Sequence, residues 1–201
     1  MKKIVVLSLY LMVTFVLFNG CRRGEDDPFI SFRSRKARVT GKWKMTSIKR
    51  TSNQTGNFGS TTVIFTANGS TYTRTELNSN GTNFSNTGIY TNEITFKKDG
   101  TYTGQMNQDG EIVNIEGKWN FTGGVGDMKD KSQITMYETS YKSPGYTFTS
   151  TGHYFYDTYD LKELRNNKMV WYRKYTDTRN SSSSWNNYSK TEEEEIVFEA
   201  K

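Results

Sequence analysis

The sequence holds one cysteine, one histidine and two prolines in 201 residues. A lone cysteine excludes a disulfide framework and a cysteine-rich metal site. A lone histidine excludes a histidine-cluster zinc site and argues against histidine-based catalysis. After residue 18 no long apolar run occurs, so nothing further along reads as a membrane-spanning helix. Charge of one sign does not accumulate either. The net charge is +6, Lys2 and Lys3 supply part of it, and the other basic residues are scattered apart from Arg33, Arg35, Lys36 and Arg38. So diffuse a charge gives no reason to expect a nucleic-acid partner. Aromatic residues are plentiful: 13 Tyr, 12 Phe and 4 Trp. They suffice to pack a core in a chain of one-domain length and argue against disorder.

The N-terminus reads as an address. Lys2 and Lys3 precede Ile4 to Phe18, an almost unbroken apolar run. The run is shorter than the ~20 residues that span a bilayer and fits the apolar core of a secretory signal. Asn19-Gly20-Cys21 follows. Small Gly20 before the cysteine resembles the lipobox of bacterial lipoproteins. The resemblance implies a signal peptide over residues 1–20, a diacylglyceryl group on the Cys21 thiol, and a fatty acid such as palmitate on the new amine. The alternative is an incidental thiol at the end of a plain signal peptide or N-terminal anchor. Acyl chains contribute ~0.8 kcal/mol per buried CH₂, so several anchor a protein stably.

Residues 21–31 then read as a lipidated tether. Arg22 stands where an Asp would resemble an inner-membrane retention signal, which implies the outer membrane of a Gram-negative cell, facing the periplasm or the cell surface. Glu25, Asp26 and Asp27 resemble the surface-export signals of Bacteroidetes lipoproteins, or form a solvated linker.

Residues 32–201 read as one domain. Phe32 to Val39 predicts one short helix, whose four basic residues face either lipid headgroups or solvent. From Gly41 the pattern is β, rich in Thr, Tyr, Phe, Ile and Val with Gly/Asn/Asp punctuation. The segment TNEITFKKDGTYTGQM predicts a hairpin turning at Asp99-Gly100, and Asn107 to Gly110 a second turn. Val113, Ile115, Gly117, Trp119 and Phe121 alternate with polar residues, as a strand with one buried face requires. Gly123 to Asp127 is a loop without the Lys-Ser/Thr of a phosphate cradle. Residues 51–90 read as an insertion that extends the sheet with extra strands, or as a surface flap. Glu192 to Glu195 reads as a solvated charge run at the mouth of the last strand.

Short antiparallel strands joined by tight turns favour a barrel or sandwich. Gly41-Lys42-Trp43 after a short helix resembles the G-x-W that opens the lipocalin fold. ITFKKDGTYTGQM, IEGKWNF and YDLKELRNNKMVW resemble, in that order, signatures of lipocalin-like domains of Bacteroidetes lipoproteins. The resemblance spans residues 41–199 and implies an all-β, antiparallel, up-and-down barrel of eight or slightly more strands. Lipocalins place an arginine over the first tryptophan. The last strand here has none, and Arg173 is the nearest substitute.

In such a barrel Trp43, Met45, Ile94, Phe96, Tyr102, Met106, Val113, Ile115, Trp119, Phe121, Ile134, Met136, Leu161, Met169, Trp171 and Phe198 face inward. They either fill the barrel or leave an apolar cavity walled by Trp43, Tyr102, Trp119 and Trp171. The first case leaves a surface module binding glycan or protein through Tyr141, Tyr146, Tyr154, Tyr156 or Trp185. The second, which the resemblance favours, is an outer-membrane-anchored barrel binding a small hydrophobic molecule. No cofactor or metal is expected. His153 lacks a nucleophile placed by any motif, and the chain reads as a non-enzyme.

Overall fold

The structure, a computed structural model, describes residues 27, 33–56, 59–126, 128–129, 131–150, 155–179 and 188–201. Cys21, Glu25, Asp26, His153, Tyr154 and Trp185 lie outside them, and with them the expected signal peptide and lipid site.

The described chain is all-β with one short helix. Helix α1 (Arg35–Val39) starts where the Ser34 hydroxyl accepts the Ala37 N–H, satisfying a donor the helix start leaves free. Eleven strands follow: β1 (Gly41–Gly56), β2 (Gly59–Ala67), β3 (Thr71–Asn78), β4 (Asn83–Phe96), β5 (Thr101–Gln108), β6 (Glu111–Thr122), β7 (Gln133–Ser143), β8 (Tyr146–Thr149), β9 (Phe155–Leu164), β10 (Lys168–Arg179) and β11 (Tyr188–Ala200). All pairings are antiparallel. Ten strands close a ring, because β6 pairs with β7 and β1 with β11, and β8 pairs with β7 outside it. The expected strand number, eight or slightly more, is thus corrected to ten in the ring. The reason lies in residues 51–90.

At the helix end, β1 pairs directly with β4 (Trp43 opposite Ile94), and the ring there has eight strands. Farther along, the β2–β3 hairpin enters between them. β1 pairs with β2 from Ile48 and β4 with β3 up to Ile89, so the ring widens to ten. The hairpin tip sits against β1: a Cβ on Gly69 would lie 2.7 Å from the Met45 carbonyl, and φ is +84°. Glycine alone meets both conditions. A bulge between Met45 and Ser47 marks the change of partner and keeps Ile48 on the inner face with Trp43 and Met45.

The two widths differ in content. An eight-stranded ring has an interior that side chains just fill. The narrow base is packed accordingly by Trp43, Met45, Phe96, Trp119, Ile134, Leu161, Leu164, Met169 and Phe198, all buried. Phe96 meets Trp119 and Trp171 edge-on at 5.4 and 6.0 Å. All sixteen residues expected to face inward are buried or half-buried.

The base is closed from below. Trp43 Nε1 donates to the Val39 carbonyl at 2.7 Å, tying β1 to α1. Asp27, expected in a solvated tether or export signal, is 4% exposed. It accepts the Leu164 N–H at 2.7 Å and pairs with Arg35. Arg38 donates to the Leu164 carbonyl. The basic cluster of the helix therefore divides: Arg35 and Arg38 turn into the fold, and Arg33 and Lys36 face outward. Asp27→Ala leaves the Arg35 charge and the Leu164 N–H buried without it. Chemical denaturation is expected to show a loss of about 1–3 kcal/mol, in the range for a buried donor left without its acceptor.

Candidate functional site

In the wider half the inner face carries polar and charged groups. Opposite residues in antiparallel register share a face, so Ile196 and Phe198 on β11 bring Glu194 and Glu192 inward, next to Arg50 of β1 and Arg173 of β10. Glu194 is 1% exposed. Arg50 Nε and Nη2 reach its Oε1 at 2.7 and 2.6 Å, and Arg173 Nε lies 2.9 Å from Oε2. Arg173 also pairs with Asp157 and, at 3.5 Å, with Glu192, which Lys190 Nζ meets at 2.8 Å. The solvated charge run is thereby corrected: Glu193 and Glu195 face outward, and Glu192 and Glu194 are internal.

The electrostatics follow from this packing. Burial opposes the charge of Arg173, but Tyr159, Glu194, Asp157 and Glu192 outweigh it and hold the guanidinium more firmly protonated than usual. Burial likewise works against ionised Glu192, yet Lys190, Arg50 and Arg173 keep its carboxyl below the usual range. Arg173 spends its cation on Tyr159, 5.0 Å from the ring centroid, and on the glutamates, so it does not serve as the arginine over Trp43.

Between this network and the packed base lies a cavity of about 140 Å³. Residues of β4 to β7 and β9 to β11 line it, and Gly104 on β5 contributes no side chain. A Cβ there would have only ordinary contacts, at 3.7 Å and beyond. Of the four expected wall residues, Tyr102 and Trp171 border it, with Met106, Ile115, Met136 and Tyr159. Trp43 and Trp119 do not. They belong to the base, where Trp119 Nε1 donates to the Lys97 carbonyl at 3.2 Å.

Sequence reasoning did not assign Glu138 or Asp157 to the cavity, which both border. The same two residues border a groove of about 630 Å³ at the rim, with Tyr141, Tyr146 and Phe148. Tyr141 and Tyr146 are 6.2 Å apart there, while exposed Tyr156 packs on Tyr137 at 6.4 Å. Burial pushes the Glu138 carboxyl above its ordinary range, and Asp157 adds to the shift. Burial, then Glu138 and Asp157, raise the Tyr102 hydroxyl far above its own. One signal for Glu138 was present in the sequence: it continues the alternation of Ile134 and Met136.

Among the described residues no group of three His, Cys, Asp or Glu is placed to hold a metal ion. No protein-family model matches the chain, and no curated protein or solved structure matches it.

Proposed function

We propose that this is a lipid-anchored, lipocalin-like binding barrel that takes a small molecule with an apolar body through its wide end and performs no chemistry on it. The observation that carries the reading is the cavity behind Glu138 and Asp157, continuous in its lining with the rim groove. Its size fixes the scale of the guest. Dry cavities near 150 Å³ take benzene-sized molecules, and drug-sized ligands need roughly 300 Å³ or more. The inner guest is therefore a single ring or an equivalent body.

Anchoring at Cys21 suits this geometry. Asp27 lies six positions after Cys21, a span of at most about 20 Å. With Asp27 docked under the base, a lipid on Cys21 holds the closed end toward the outer membrane and turns the wide end away from it.

Binding is tested with toluene on the full-length protein in micelles, read at the Trp171 indole N–H and the Met106 and Met136 methyl resonances. Saturable shifts at these three residues are expected, and Gly104→Leu, which fills the cavity, should abolish them. Shifts that ignore Gly104→Leu, or none at all, contradict the proposal.

A further inference from the structure

Among the described residues seven carboxylates occupy inward positions of the wide half: Glu76, Glu111, Glu138, Asp157, Asp177, Glu192 and Glu194, with Glu111 exposed at the end of β6. Five have partners. Glu76 meets Arg74, Asp177 accepts from Tyr188, and Asp157, Glu192 and Glu194 belong to the arginine–lysine network. Glu138 has no hydrogen bond or ion pair among the described residues, although it is half-buried at the junction of cavity and groove. Among the described side chains the inward cations of this half, Arg50, Arg74, Arg173 and Lys190, all contact other carboxylates. A carboxylate removed from water without a counter-charge is costly, and an incoming cation removes that cost.

A second group points the same way. Trp171 lines the cavity and is 3% exposed, yet its indole Nε1–H is buried with no partner among the described residues. A buried donor without an acceptor favours a guest that brings one, whether a polar atom or an electron-rich ring face. An entirely aliphatic guest would satisfy neither Trp171 nor Glu138.

Resting on the binding reading above, we infer that the ligand class is a small organic cation: an ammonium group seated on Glu138 at the junction, with a one-ring body inside against Tyr102, Met106 and Trp171. Aromatic faces favour this further, because Tyr102 and Trp171 present rings to a site whose outer side is anionic. Asp157 already carries Arg173 and adds field rather than a free charge.

The test uses three single-ring probes of similar size: benzylammonium, benzyl alcohol and toluene. They are titrated into the full-length protein and into Glu138→Gln, with the Trp171 indole N–H resonance as readout. The wild-type protein is expected to bind benzylammonium at least tenfold tighter than benzyl alcohol. In Glu138→Gln that preference should fall to about unity. Because Glu138 gains no partner in the folded chain, the variant should melt no lower than wild type, which separates lost binding from lost folding. Equal affinity for the amine and the alcohol in wild type, with toluene still bound, overturns the cation inference and leaves the binding reading standing. So does a preference that survives in Glu138→Gln. Absence of binding by all three probes overturns both.

Discussion

Glu194→Ala is expected to cost about 3 kcal/mol of stability, because removing one member of a buried ion network strands the others. The change leaves Arg50 and Arg173 facing each other inside the barrel with a carboxylate missing between them. Arg50 is 39% exposed along its side chain and can recover some hydration, which holds the loss near the lower end for buried pairs. Arg173 is 20% exposed and recovers less. The triple variant Arg50→Met, Glu194→Leu, Arg173→Met removes the central trio together and should recover part of the loss, since an apolar set of similar volume needs no desolvation, while Glu192 keeps Lys190 and the half-exposed Asp157 returns to water. Urea denaturation of the single and triple variants decides it. A single variant within 1 kcal/mol of wild type would mean that Glu194 is hydrated and the network is not internal.

Trp43→Ala is expected to cost about 4 kcal/mol, in the range for a large aromatic removed from a core. Trp43 is 2% exposed, opposite Ile94 on β4 and Ala200 on β11. It stands where β4 and β11 both pair with β1. Truncation opens a void at the narrowest part of the ring and leaves the Val39 carbonyl without its donor. Trp43→Phe keeps most of the volume and should lose about 1–2 kcal/mol, mainly the hydrogen bond. Both variants should retain toluene binding, because Trp43 does not border the cavity. Loss of binding with unchanged stability would place Trp43 in the site and contradict the division between packed base and open half.

Some of this architecture is written locally. The β4–β5 hairpin was legible because Asp99-Gly100 marks a turn between two alternating runs, and Gly100 does adopt a φ of +88°. The inner face of β6 was legible for the same reason, period two over nine residues. That residues 51–90 add strands was legible, but the place where the β2–β3 hairpin enters the ring was not. Asn68-Gly69 announces a turn, but nothing near it says that the strands will part β4 from β1. Strand pairing between distant segments leaves no local trace.

The internal glutamates are the instructive case. Four consecutive charges read as solvated by composition, yet the alternation set by Ile196 and Phe198 already assigned Glu194 and Glu192 to the inner face. What the sequence could not show was that Arg50, 144 residues away, would meet them. Asp27 carries no local signal either, since its partners come from the helix and the end of β9. The cavity depends on the volumes of side chains from seven strands together, so Gly104 and Glu138 gain their meaning only once the ring has closed.

Closure itself is the claim on which the cavity, the network and the orientation depend, and the β6–β7 seam tests it most directly. Amide hydrogen exchange combined with cross-strand nuclear Overhauser contacts gives the answer. The closed ring predicts slow exchange on the β7 side of β6 from Asn114 to Thr122 as well as on its β5 side up to Trp119, with contacts between Trp119 and Met136 and between Phe121 and Ile134. An open sheet would leave every second amide of that stretch of β6 exchanging freely and show no contact from β6 to β7, and the account would then be wrong.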